Sequence, residues 1–122
     1  MTQVLSFRDL EVWKRAMDLV VKVYGVTVRF PAEERFGLVA QLRRAAVSVP
    51  SNIAEGHARG SRGDYRHHLS IAQGSVAEVV TQLEIARLLG YLSAQDGRGL
   101  ASCTDDVAKM LHGLRRALPP NP

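Results

Sequence analysis

The sequence predicts an all-α fold: one domain, residues 1–122, built as an antiparallel up-and-down four-helix bundle. Three observations predict it. Apolar residues recur at helical spacing in four long stretches, those stretches are joined by short connections, and no segment sustains the period-two alternation of a strand. A chain of 122 residues is long enough to bury one core, and its 46% apolar share is that of a globular protein.

The first helix is expected at about 7–29. Leu10, Trp13, Met17, Val20 and Tyr24 form one helical stripe, and Val12, Ala16, Leu19, Val23 and Val26 form a second beside it. Together they make an apolar face wider than one bundle core requires, so the surplus is available to a neighbouring subunit or packs within the same bundle. Ser6 with Asp9 reads as a capping box, and Phe30-Pro31 ends the helix, because the residue before proline is pushed from the α region.

The second helix is expected at about 32–58, opening at Pro31 with Glu33 and Glu34 in its first turn. Leu38, Leu42, Ala45, Val49 and Ile53 carry its stripe. Pro50 lies inside it, so the helix should continue with a kink where one hydrogen bond is lost. The glycine-rich EGHARGSRGD reads as the next turn. The third helix, about 62–89, is the most regular: Tyr65, Leu69, Ala72, Val76, Val79, Leu83 and Ala86 repeat at alternating spacings of 4 and 3. Gly90 supplies its C-terminal cap. Ser93 with Asp96 opens the fourth helix, about 93–118, whose stripe runs through Leu100, Thr104, Val107, Leu111, Leu114 and Leu118 before Pro119-Pro120 closes it.

Several classes of function find no support in the residues. No apolar run reaches the roughly 18 residues of a membrane span, and MTQVLSFRDLE has neither the basic start nor the apolar stretch of a signal peptide, so the expectation is a cytoplasmic protein. Cys103 is the single cysteine and falls in an apolar stretch, which suits a small core residue rather than a nucleophile. A di-metal carboxylate site in a bundle needs Glu-x-x-His pairs, and the chain has none; Asp64-x-x-His67 is the nearest match. Ser61 follows no strand and so forms no nucleophile elbow, and Gly56, Gly60 and Gly63 lack the lysine of a phosphate-binding loop. The reading is of a chain with no catalytic residues, no metal site and no cofactor.

The net charge of +4 arises from sixteen Lys and Arg against twelve Asp and Glu, and thirteen of the cations are arginine, whose planar fork suits phosphate and carboxylate. The charge points towards an anionic partner.

Three segments resemble a bacterial family: FRDLEVWKRAMDLV at 7–20, FPAEERFGLVAQLRRAAVSVPSNIAEGHAR at 30–59 and IAQGSVAEVVTQLEIARLLGYL at 71–92. With RRAAVSVPSNIAEG the most specific part, the chain is similar over about residues 7–118 to the four helix bundle protein family, which includes the 23S rRNA intervening-sequence protein. A related branch is the accessory variability determinant of diversity-generating retroelements. The resemblance implies assembly of the protomer into a homopentamer, and for the retroelement branch it implies nucleic acid and a reverse transcriptase as partners. The sequence departs from the family's pattern at Val79-Val80, where a leucine and an acid are expected, and at His67-His68, where an aromatic is expected second.

The residues singled out fall in two groups. Arg59, Arg62 and Arg66, with His67 and His68, form a basic turn able to contact phosphates, the alternative being a solvated loop. Arg43, Arg44, Pro50, Asn52, Glu55 and Gly56 carry the family signature and read as structural. Arg43 or Arg44 is expected to pair with Glu55, Glu78 or Glu84, across helices or across subunits. Asn52 is expected to serve backbone groups freed near Pro50, and Gly56 to permit a close approach or a bend. Arg115 and Arg116 read as complements to the dipole of the last helix. The function expected is a non-enzymatic oligomeric module that binds RNA or DNA through a basic surface. The alternative is a protein-interaction scaffold, for instance an accessory to a reverse transcriptase.

Overall fold

Ser6 sets the first turn. Its hydroxyl accepts from the backbone N–H of Arg8, and the Asp9 carboxylate accepts from the N–H of Ser6. This computed structural model describes residues 6–119, so the domain limits at 1 and 122 and the Pro120 part of the closing proline pair lie outside the described residues. The box caps only a 3-10 turn, Phe7–Asp9, and extended Leu10 separates that turn from helix α1, Glu11–Thr27. The helix expected from residue 7 therefore starts at Glu11. The Thr27 hydroxyl, buried in the last turn, bonds back to the carbonyls of Val23 and Tyr24.

A larger departure follows. Pro31 precedes a second 3-10 turn, Ala32–Glu34, and α2 spans Leu38–Arg59, not 32–58. Gly37 stands between them at φ −103°, ψ −108°, a conformation off the helical path that glycine tolerates, so the Glu33-Glu34 turn and α2 are separate elements. Helix α2 runs through Pro50 without interruption. Gly60, at φ 81°, stops it, and Ser61 at once caps α3, Arg62–Leu88, by accepting from the N–H of Asp64. Beyond Leu89, Gly90 at φ 79° turns the chain; Tyr91 N–H reaches the Ala86 carbonyl and Gly90 N–H that of Arg87, a Schellman motif. Ser93 caps α4, Ala94–Ala117. Among the described residues there is no strand.

The four helices pack side by side, α1 and α3 each lying against both α2 and α4. Two core clusters occupy the two ends. One gathers Leu19 and Val23 of α1, Leu42 of α2, Val79 and Leu83 of α3, and Leu100 of α4. The other gathers Val12 and Ala16 of α1, Val49 and Ile53 of α2, Leu69 and Ala72 of α3, and Leu111 of α4. The second end thus joins the start of α1, the end of α2, the start of α3 and the end of α4. Of the paired stripes on α1, Val12, Ala16, Leu19, Val23 and Val26 are buried, whereas Met17 and Tyr24 of the other remain 40% and 42% exposed. Leu10, Trp13 and Val20 of that outer stripe rest against the bundle's own core. Cys103 is fully buried, and burial pushes its thiol up.

Candidate nucleic-acid interface

The end built on Val12, Ile53, Leu69 and Leu111 is where the basic residues collect. Arg59 closes α2, Arg62 opens α3, and Arg66 follows one turn later. Arg66 does not point freely outward: its guanidinium donates to the carbonyls of Leu118 at 2.9 Å and Pro119 at 3.0 Å. That contact fastens the end of α4 to the start of α3, and it brings Arg115 and Arg116 to the same surface as the basic turn. Arg115 is held by the Gln73 amide oxygen at 2.7 Å. Arg116 and Arg62 are exposed and form no ion pair among the described residues. With Arg8 beside the first turn, six arginines stand at this end against Asp9, Glu11, Glu55 and Asp64. The opposite end carries Arg29, Arg35, Arg43, Arg44, Arg87 and Arg98 against Glu33, Glu34, Glu84 and Asp96, with Arg29 paired to Asp96 and Arg87 to Glu84.

Arg59 lies 2.8 Å from Glu55 one turn back. The bond from Arg59, with the nearby His68 ring as a second influence, holds the Glu55 carboxyl below the usual carboxylate range. His67 is exposed. His68 is not: its side chain is 12% exposed, and its Nδ1 lies 3.0 Å from the Asn52 Oδ1. The expectation that His68 forms part of a phosphate-contacting turn is therefore corrected. Helical rotation carries it onto the α2 side of α3, where it is a contact between helices.

That contact belongs to a longer polar seam. The Asn52 Nδ2 donates to the Ser48 carbonyl at 2.8 Å and to the Ser48 hydroxyl at 3.0 Å, and the Ser48 hydroxyl meets that of Ser75, 2.8 Å away on α3. A carbonyl only accepts, so the Asn52 amide is oriented, its Oδ1 faces α3, and His68 must donate from Nδ1. Asn52 was expected to serve groups freed by Pro50. The donor that Pro50 withholds is owed to Ala46, while Asn52 bonds Ser48 and joins the two helices instead. The seam carried a signal: Ser48, Asn52, Glu55 and Arg59 repeat at spacings of 4, 3 and 4, and His68 and Ser75 stand one heptad apart.

Gly56 is buried in the same seam and makes a close approach, not a bend: a Cβ there would lie 2.7 Å from the Cβ of His68. Within the chain, among the described residues, Arg43 and Arg44 do not make the pairing expected across helices. Arg43 Nε donates to the Thr27 hydroxyl at 2.9 Å, and its guanidinium lies 4.4 Å from the Tyr24 ring centroid. Glu55 is engaged by Arg59 and Glu84 by Arg87. Arg44 is exposed. Tyr65 is half-buried beside Gly56, its ring edge-on to His57, and burial pushes its phenol up. Among the described residues no three His, Cys, Asp or Glu side chains gather as a metal site would need, and no helix is long and apolar enough to cross a membrane.

A family model described as 23S rRNA-intervening sequence protein matches residues 8–113. A crystal structure from Bacteroides thetaiotaomicron, described as a protein with unknown function from the S23 ribosomal protein family, is similar with a TM-score of 0.80 at 20% identity, over 87% of this chain and 96% of that one. At that identity the likeness shows the fold. No curated protein is similar enough to match.

Proposed function

The chain belongs to the 23S rRNA-intervening sequence protein family, and from that premise we propose a non-enzymatic, homo-oligomeric helical bundle that binds RNA or DNA through its basic end. One observation carries the reading: exposed Arg59 and Arg62 at the α2–α3 turn and exposed Arg116 at the end of α4 meet at one end of the bundle, and neither Arg62 nor Arg116 forms an ion pair among the described residues. An antiparallel up-and-down course is supported by the way alternate helix starts and ends share each core cluster.

The homopentamer is supported by the family resemblance and by the exposed Met17 and Tyr24 on α1. Each subunit of a ring contributes its own basic end, so individually weak phosphate contacts add by multivalency. Light scattering coupled to gel filtration should give about five times the 13.4 kDa of one chain. A mass of one chain at micromolar concentration overturns the assembly.

For binding, Arg59→Ala, Arg62→Ala and Arg116→Ala combined should weaken affinity across unrelated sequences. Each arginine that touches phosphate should reduce the salt slope by about one. Arg35→Ala with Arg98→Ala, at the opposite end, is the control and should leave binding close to the parent. Equal affinity in the basic-end variant and the parent sinks the reading.

A second reading, a scaffold for a protein such as a reverse transcriptase, draws on different features. Phe36 is 88% exposed, and a cleft of about 530 Å³ between α3 and α4 is lined by Val80, Leu83, Leu92, Gly97 and Ala101. It takes first place if the parent binds no nucleic acid at low salt.

A further inference from the structure

We infer that the basic end takes the phosphate backbone of a duplex and that unstacked single strands are its poorer ligands, an inference that rests on the nucleic-acid reading above. Proteins that hold single strands stack successive bases on exposed planar side chains. At this end the aromatic rings are already engaged. Phe7 has the Trp13 ring 5.4 Å away and the Arg8 guanidinium 5.8 Å from its centroid. Trp13 is half-buried against the inner core, and Tyr65 packs edge-on to His57 with its hydroxyl buried. The most exposed aromatic ring, Phe36, lies at the opposite end. The exposed flat groups left here are the imidazoles of His67 and His112.

Among the described residues, the side-chain amides at this end that could read base edges are engaged as well. Asn52 spans α2 and α3, and Gln73 holds Arg115. What the end presents is cationic on balance, six arginines against Asp9, Glu11, Glu55 and Asp64. The exposed charges stand on three helix termini: Arg59 on α2, Arg62 on α3 and Arg116 on α4. Packed helices lie about 8–10 Å apart, so the α3 terminus stands from those of α2 and α4, its two neighbours here, at a spacing of the order of a duplex groove, about 6–12 Å. The grip of Arg66 on the Leu118 and Pro119 carbonyls keeps the α4 terminus in register with α3. Cations borne on fixed helix termini gain most from a rigid polyanion, and a duplex is the stiffer and more densely charged form, with a phosphate per about 1.7 Å of axis.

The test is fluorescence anisotropy on the full chain, using labelled oligonucleotides of equal length as DNA duplex, RNA duplex and non-pairing single strand, at about 50 and 200 mM salt. Duplex should bind about tenfold or more tightly than single strand, with a log-log salt slope of about −0.9 per phosphate neutralised. The two duplex arms distinguish DNA from RNA, and tighter binding of either one upholds the inference. Arg59→Ala, Arg62→Ala and Arg116→Ala combined should remove the duplex preference, while Arg35→Ala with Arg98→Ala, at the opposite end, should leave it unchanged. Single strands that bind as tightly as duplexes overturn the inference but keep the nucleic-acid reading. Failure of every probe at low salt overturns both.

Discussion

Replacing Gly56 with alanine is expected to destabilise the protein by about 1–3 kcal/mol, the range for overpacking a close contact. Helix propensity argues the other way, since alanine is favoured over glycine inside a helix by about 1 kcal/mol. The geometry decides between them. An added Cβ would meet the His68 Cβ at 2.7 Å and the Tyr65 Cα at 3.3 Å, and neither atom can swing aside by a side-chain rotation. The first turns of α3 would have to move off α2, loosening the His68–Asn52 contact and shifting Arg62 and Arg66 together. Backbone strain plays no part, because the positive-φ glycines are Gly60 and Gly90. Gly74→Ala on α3 is the matched control: nothing lies within 4 Å of its added Cβ, so it should stabilise by about 0.5–1 kcal/mol. Urea unfolding of both variants checks the pair. If Gly56→Ala proves as stable as the parent, the close-approach account is wrong.

The contrast between those glycines marks what the sequence made legible. The α3 stripe from Leu69 to Ala86 could be read directly, because each residue's burial follows from helical rotation alone. The start of α2 could not. Pro31, Glu33 and Glu34 form a credible helix opening, and nothing local reveals that Gly37 leaves the helical path before Leu38. The outer face of α1 was half legible: a surplus of apolar residues is visible, but whether Met17 or Val20 meets the bundle depends on where α2 lies. The candidate interface shows the same division. Arg59, Arg62 and Arg66 are neighbours in sequence and were found together. Arg115 and Arg116 looked like helix-dipole complements because a stretch of chain separates them from the turn, and only packing of the α4 terminus against Arg66 makes one surface of both. His68 was misplaced for the converse reason. Adjacency to exposed His67 suggested a shared role, whereas a helix turns about 100° per residue and sends the second ring to the α2 side.

Removing the Asn52 amide should cost about 1–3 kcal/mol, because it takes the acceptor from a donor in a part-buried seam. In Asn52→Ala, the His68 Nδ1–H loses its acceptor while the side chain, 12% exposed, has little solvent to turn to. The Ser48 carbonyl and hydroxyl lose a donor as well, though the hydroxyl keeps its contact with Ser75. His68→Ala should be destabilising in its own right, leaving Asn52 Oδ1 unpaired. The informative quantity is how the two combine. If the residues act through one another, the double variant should be more stable than the sum of the single losses implies, by a coupling of about 0.5–3 kcal/mol, since the second substitution removes the group the first left unpaired. Independent packing roles predict simple additivity within about 0.5 kcal/mol. Ser102→Ala, on an exposed position of α4, should be close to neutral and calibrates the measurement. Equilibrium unfolding of the four members of the cycle separates the outcomes. Additivity would mean that α2 and α3 are held by their apolar faces and that the seam at Asn52 merely fits between them; coupling makes it the polar pin that fixes their register, and with it the position of the basic end.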